Sequence, residues 1–162
     1  MQKNAVPPVN KSIRVAASPA LAFEIFTAGM HRWWPRAHSL NPTAERVAIV
    51  AEPHPGGRWF ERSVDGKECN WGQVLDWSPP SRVLFAWQLD EKWAFNPAFS
   101  TEVEVKFEAV GKNETLVTLE HRQLERYGVH AEKVRTGLDS NEGWMGGLHL
   151  YAAVIANQPA TP

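Results

Sequence analysis

The sequence predicts an α+β fold in which an antiparallel sheet is covered on one face by a terminal helix. Three observations carry this prediction. Six consecutive segments with an apolar period of two are joined by short turn-forming stretches. Helical periodicity lies before and after these segments rather than between them, which separates an α+β chain from a parallel α/β one. The last periodic segment presents a continuous apolar stripe, as a helix lying on a sheet must.

The elements follow in order. "VNKSIRVA" (9–16) alternates, with Val9, Ile13 and Val15 on one face, and reads as a half-buried strand. "SPALAFEIFTAG" reads as a helix with Ser18 as its N-cap, Pro19 in its first position and Gly29 as its stop. "MHRWWP" predicts a second, short helix ended by Pro35. "ERVAIVAE" is the next strand, followed by the turn "HPGG", the strand "RWFERS" and a hairpin turn at Asp65-Gly66. "ECNWGQVLDW" (68–77) is a long strand stopped by Pro79-Pro80, and "RVLFAWQL" (82–89) is its partner. "STEVEVKFEAV" (100–110) turns Val103, Val105 and Phe107 inward, and "ETLVTLEHRQL" (114–124) does the same with Val117, Leu119 and His121. A short helix at "AEKVRTGL" precedes the final one. In that final helix Trp144, Leu148, Tyr151 and Ile155 form one stripe, and Asp139 or Ser140 is the expected cap.

At 162 residues the chain suits one domain spanning 1–162, with 1–8 and 157–162 as loose ends. A net charge of −1 with scattered Lys and Arg gives no footprint for nucleic acid or an anionic membrane. No signal-peptide pattern opens the sequence, and its longest apolar run, "YAAVIA", is too short to span a bilayer. A lone cysteine, Cys69, excludes an internal disulfide framework and suits a reducing cytoplasm. The six histidines have no HExxH or other metal-ligand spacing, and neither a P-loop nor a dinucleotide fingerprint is present, so no metal and no cofactor is expected.

The order β-α-α-β6-α, with four motifs in sequence, resembles the START-like or SRPBCC helix-grip superfamily. The branch it looks like is the one named after the C-terminal domain of the heat-shock-protein ATPase activator (AHSA-type), in its bacterial single-domain subgroup. The motifs are "SPALAFEIFT", "HPGGRWFE", "WGQVLDWSPPSRVLFAWQL" and "GWMGGLHLY". The resemblance implies a seven-stranded curved antiparallel sheet wrapped around the long C-terminal helix, with an apolar cavity between them. It does not fix a reaction, because the same fold serves carriers, cyclases and aromatases.

Eight tryptophans supply the large apolar area, each with one N–H, that a small-molecule pocket needs. Alternation puts Trp71, Gln73, Leu75 and Trp77 on one face of their strand, and Val83, Phe85, Trp87 and Leu89 on one face of the next. Trp33 and Trp34 precede Pro35 and, by the resemblance, border the entrance. Trp93 falls in a loop, where an ordered tryptophan usually plugs something. His121 is either a hydrogen-bonded core histidine or a polar group on the cavity wall. Glu61 shares a face with Trp59 and is either a solvated carboxylate or, on a concave face, a second polar wall group. Gly146 and Gly147 disfavour the start of the last helix, so they serve either close packing or the mouth of a cavity.

The candidate ligand-cavity residues are therefore Trp34, Trp59, Glu61, Trp71, Gln73, Phe85, Trp87, His121, Trp144 and Leu148, with Gly146 and Gly147 at the mouth. The leading expectation is a binding module for a small hydrophobic or aromatic molecule. The alternative is a cyclase-, aromatase- or hydrolase-type enzyme in the same cavity, with His121 and Glu61 as its best polar pair. A co-chaperone stimulating a heat-shock ATPase is the third, and a homodimer is admissible.

Overall fold

The computed structural model describes residues 6–157. Seven strands, β1 (Val9–Val15), β2 (Arg46–Ala51), β3 (Arg58–Ser63), β4 (Glu68–Ser78), β5 (Arg82–Trp87), β6 (Thr101–Gly111) and β7 (Glu114–Arg122), form one antiparallel sheet in the order β1-β7-β6-β5-β4-β3-β2. The helices are α1 (Pro19–Thr27), α2 (Met30–Trp33), α3 (Ala131–Asp139) and α4 (Trp144–Ala156). The sheet grips α4, giving the helix-grip architecture expected above. No helix among the described residues is long and apolar enough to cross a membrane.

Local chemistry accounts for the boundaries. Ser18 accepts a hydrogen bond from the Leu21 amide and Pro19 opens α1. The apolar stripe of α4 is buried throughout, Trp144, Leu148, Tyr151 and Ile155 each being 5% exposed or less. The Tyr151 hydroxyl donates to the Ala22 carbonyl at 2.7 Å and ties α4 to α1. Around it the interior is packed with rings: Phe26 meets Trp33 at 4.9 Å and Tyr151 at 5.3 Å, and Trp59 stacks on Phe85 at 4.3 Å. On the outer face, Arg82 pairs with Asp76 and Glu104, while Arg122 pairs with Glu102, Glu104 and Glu120. Phe60 also points outward, under the guanidinium of Arg58 at 4.0 Å.

Three details differ from the sequence expectation. The cap of α4 is neither Asp139 nor Ser140. The helix α3 runs on to Asp139, whose carboxylate pairs with Lys11 at 2.8 Å, and Ser140 serves the turn between the helices, leaving Gly143 as an N-cap without a side-chain bond. Residues 1–5 and 158–162 of the expected loose ends lie outside the described residues. Of the rest, Val6 packs against the core, and the Pro7 and Pro8 carbonyls accept from Arg135 at 2.7 and 3.1 Å.

The third difference concerns faces. Register shifts fall between Trp59 and Phe60 in the β3–β4 ladder and between Val74 and Asp76 in the β4–β5 ladder. Each inserts a residue and resets the alternation. Trp71, Val74 and Trp77 therefore serve the core, whereas Gln73 and Leu75 are exposed. Gly72 lies at the first shift, opposite Trp59 and Trp87, and a Cβ there would sit 1.8 Å from the Ala86 carbonyl oxygen. Backbone cannot yield that far. Gly72→Ala is expected to lower stability by about 3 kcal/mol or more, measurable as a urea or thermal melt against the parent.

Candidate functional site

Beyond Trp33 the chain leaves α2, makes a short helical turn over Arg36–His38 and returns to the sheet at β2. Two buried charged side chains hold this connection. Arg46, 5% exposed, donates from Nη2 to the Trp34 carbonyl at 2.9 Å, from Nη1 to the Pro35 carbonyl at 3.3 Å and to Ser39 Oγ at 3.2 Å. Its Nε donates to His31 Nδ1 at 3.3 Å. Burial, then the Arg46 charge, holds the His31 pKa below the usual histidine value, which keeps that ring nitrogen an acceptor.

Glu61 is fully buried on β3. Its carboxylate accepts from the Leu40 amide at 3.0 Å on each oxygen, from the Asn41 amide at 3.5 Å and from the Trp71 indole at 2.9 Å. Such charge-assisted bonds are what a buried carboxylate requires. Glu61 also favours the charged form of Arg46, against the burial that lowers the Arg46 pKa. The entrance segment is thus clamped at residues 34–39 by a cation and at 40–41 by an anion.

This clamp shapes one wall of a pocket of about 350 Å³ at the open end of the grip. Its other walls are Trp71 of β4, Trp87 at the end of β5 and Leu89 just beyond it, Trp93 in the following hairpin tip, and, at the α3–α4 junction, Leu138, Gly143, Trp144 and Gly147 among others. Trp34 is the hub, its ring 4.7 Å from Trp71 and 5.5 Å from both Trp33 and Trp144. Its indole N–H is buried and has no hydrogen-bond partner. The polar groups at the rim come from His38, Ser39, Ser140 and Glu142.

His121 stands behind this wall, fully buried. Its Nδ1 accepts from the Trp144 indole at 3.1 Å, and an indole can only donate, so the ring proton resides on Nε2. From there it is donated to Thr101 Oγ1 at 2.8 Å, and that hydroxyl donates to the Trp87 carbonyl at 3.4 Å. Burial lowers the His121 pKa to about 3, so the imidazole is neutral.

Of the residues singled out in the sequence, Trp33, Trp34, Trp71, Trp87, Trp93, Trp144 and Gly147 line the pocket, whereas Gly146, expected at the mouth, does not. Trp59, Phe85 and Leu148 are fully buried and do not reach it. Gln73 is on the outer face because of the register shift. Glu61 is not a solvated carboxylate, and neither it nor His121 lines the pocket; both spend their polar atoms on protein partners, so they do not converge as a pair on a common guest. Arg46 escaped sequence reasoning. The one available signal is a cation opening an otherwise apolar strand, and a register shift after it turns it inward. Among the described residues no group of His, Cys, Asp and Glu is gathered to hold a metal.

The two glycines answer to different needs. A Cβ on Gly146 would lie 2.3 Å from the Asn141 carbonyl oxygen, a close backbone approach, whereas one on Gly147 would meet only Trp33 at an ordinary 3.5 Å. Gly146→Ala is expected to destabilise by about 2 kcal/mol, and Gly147→Ala to stabilise by roughly 0.5–1 kcal/mol through helix propensity, both read from thermal melts. For His121 the folded pKa lies below the unfolded value of 6.5, so its contribution is complete above that pH and falls away as pH drops toward 3. Stability there should decline with an added slope of about 1.4 kcal/mol per pH unit, which His121→Gln removes in urea melts between roughly pH 4 and 6.5.

Comparison with known proteins agrees with this architecture. No curated protein matches the chain. Among solved structures, an anthrahydroquino-γ-pyrone synthase, Txn09, is 38% identical, with 93% of this chain and 98% of that one covered and a TM-score of 0.65. The self-sacrificing resistance protein CalC from Micromonospora echinospora is 28% identical, covering 96% and 98% with a TM-score of 0.72. The Aha1 dimer from Colwellia psychrerythraea, 18% identical over 93% and 96%, shares the fold with a TM-score of 0.60. The family model described as "Activator of Hsp90 ATPase homolog 1-like protein" matches residues 16–147, and the chain belongs to that family.

Proposed function

We propose that this protein binds a small aromatic molecule of two or three fused rings in the pocket at the open end of the grip. The observation that carries the reading is the wall itself: Trp34, Trp71, Trp87 and Trp144 enclose a space of about 350 Å³, at the small end of the range for ligand sites. Trp59, Phe85 and Leu148 are buried without reaching this space, which supports a small guest held near the mouth. The 38%-identical relative is named as an anthrahydroquino-γ-pyrone synthase, whose named product is likewise a fused-ring aromatic, though with one ring more.

That relative also favours a second reading, a ring-forming enzyme of the cyclase type in the same pocket. The titratable groups it would use are His38 and Glu142 at the rim, in place of His121 and Glu61.

The binding reading is tested by thermal shift with 1,8-dihydroxyanthraquinone and 2-naphthol. A ligand at one hundred times its Kd adds about 2.7 kcal/mol, a rise of roughly 5–10 °C for a chain of this length. Gly147→Leu, which fills the pocket from α4, should fold and abolish the shift. Absence of any shift in the parent protein would remove the reading.

A further inference from the structure

Among the described residues three non-glycines adopt left-handed backbone: Asn113, Gln123 and Trp93, the last with φ of 60°. Asparagine is at home there; a tryptophan is not, and an outlier of this kind persists only where its surroundings impose it. The hairpin tip does impose it. The Asp90 amide donates to the Ala94 carbonyl and the Trp93 amide to the Asp90 carbonyl, both at 2.9 Å. Asp90 Oδ1 accepts from the Lys92 and Ala94 amides at 2.8 and 3.1 Å. Glycine or asparagine at position 93 would satisfy this tip without strain.

The side chain adds a second cost. Trp93 is 44% exposed, and its ring meets Trp87 edge to face at 6.1 Å on the pocket wall. A left-handed backbone and a large exposed apolar surface both disfavour tryptophan at this position. A guest seated against the ring would cover that surface, which gives a reason for a tryptophan where the backbone favours glycine or asparagine.

We infer that Trp93 is the specificity-determining cover of the pocket, stacking on the outward face of a planar unsaturated guest whose inner face lies against Trp34, Trp87 and Trp144. The inference rests on the reading of the pocket as an aromatic site and narrows it: the site selects flat, unsaturated rings over saturated ones of the same skeleton. An indole face gains its extra attraction from another π-system, not from a puckered aliphatic ring.

The test pairs 2-naphthol with decahydro-2-naphthol, measured by calorimetry on the parent, Trp93→Phe and Trp93→Asn. The parent and the Phe variant should prefer 2-naphthol by about tenfold; the Asn variant should lose most of that preference while its Tm stays within about 3 °C of the parent. An Asn variant that keeps the preference overturns the inference and leaves the aromatic pocket standing. An Asn variant whose Tm drops by more than about 3 °C assigns Trp93 to packing and overturns it too. A parent that binds neither compound overturns the pocket reading and this inference together.

Discussion

The shape of the pocket depends on one buried carboxylate. Glu61 stands fully buried on the inner face of β3, and three N–H donors from two separate parts of the chain converge on its carboxylate. Those bonds set the height of the 40–41 backbone over the sheet and fix the rotation of the Trp71 indole. Trp71 in turn supports Trp34, whose carbonyl is held by Arg46 from the other side. Removing one member of such a set strands the others without partners in a low-dielectric interior, which costs more than the net worth of the bonds themselves. Two buried charges, on β2 and β3, thus hold the backbone of the 34–41 segment.

The aromatic residues divide into two populations. One fills the space between α1, α4 and the middle strands, with ring centroids mostly about five ångströms apart; Trp59 bonds inside it to Met30 Sδ, and Trp33, which also borders the pocket, to the Ile25 carbonyl. The other faces the mouth. The boundary between them runs through Trp71 and Trp144, whose N–H groups reach back to Glu61 and His121 while their rings form the wall. The two buried polar residues thus act as fixed sockets for wall indoles. That role explains a neutral histidine and a buried carboxylate without assigning chemistry to either.

The strands and helices could be read from periodicity, and the α1 cap and the α4 stripe from single residues, because those features are local. What periodicity could not locate were the register shifts opposite Trp71 and Leu75 and beside Val47, since an inserted residue leaves the sequence alternation looking continuous. Each shift moved a residue across the sheet: Gln73 outward, Arg46 inward. The start of α4 was misplaced for a similar reason. Asp139 and Ser140 are good caps in isolation, but α3 had already claimed them, and helix ends in tight junctions are decided by the neighbouring helix. The pocket's tryptophans stood out by number, yet which of them face the mouth depends on contacts between segments far apart in sequence.

The first strand occupies an edge of the sheet, paired only with the last: Val9 lies against His121, and Thr115 Oγ1 donates to the Ala17 carbonyl 98 residues away. During synthesis the N-terminal segment must wait, unpaired, until β7 has emerged, and in refolding its docking carries the largest loop-closure entropy of any ladder in the sheet. The apolar side chains of that segment are meanwhile open to the wrong partners. Closure of this sheet then waits less on its tryptophan-rich centre than on the late meeting of its first strand with its last.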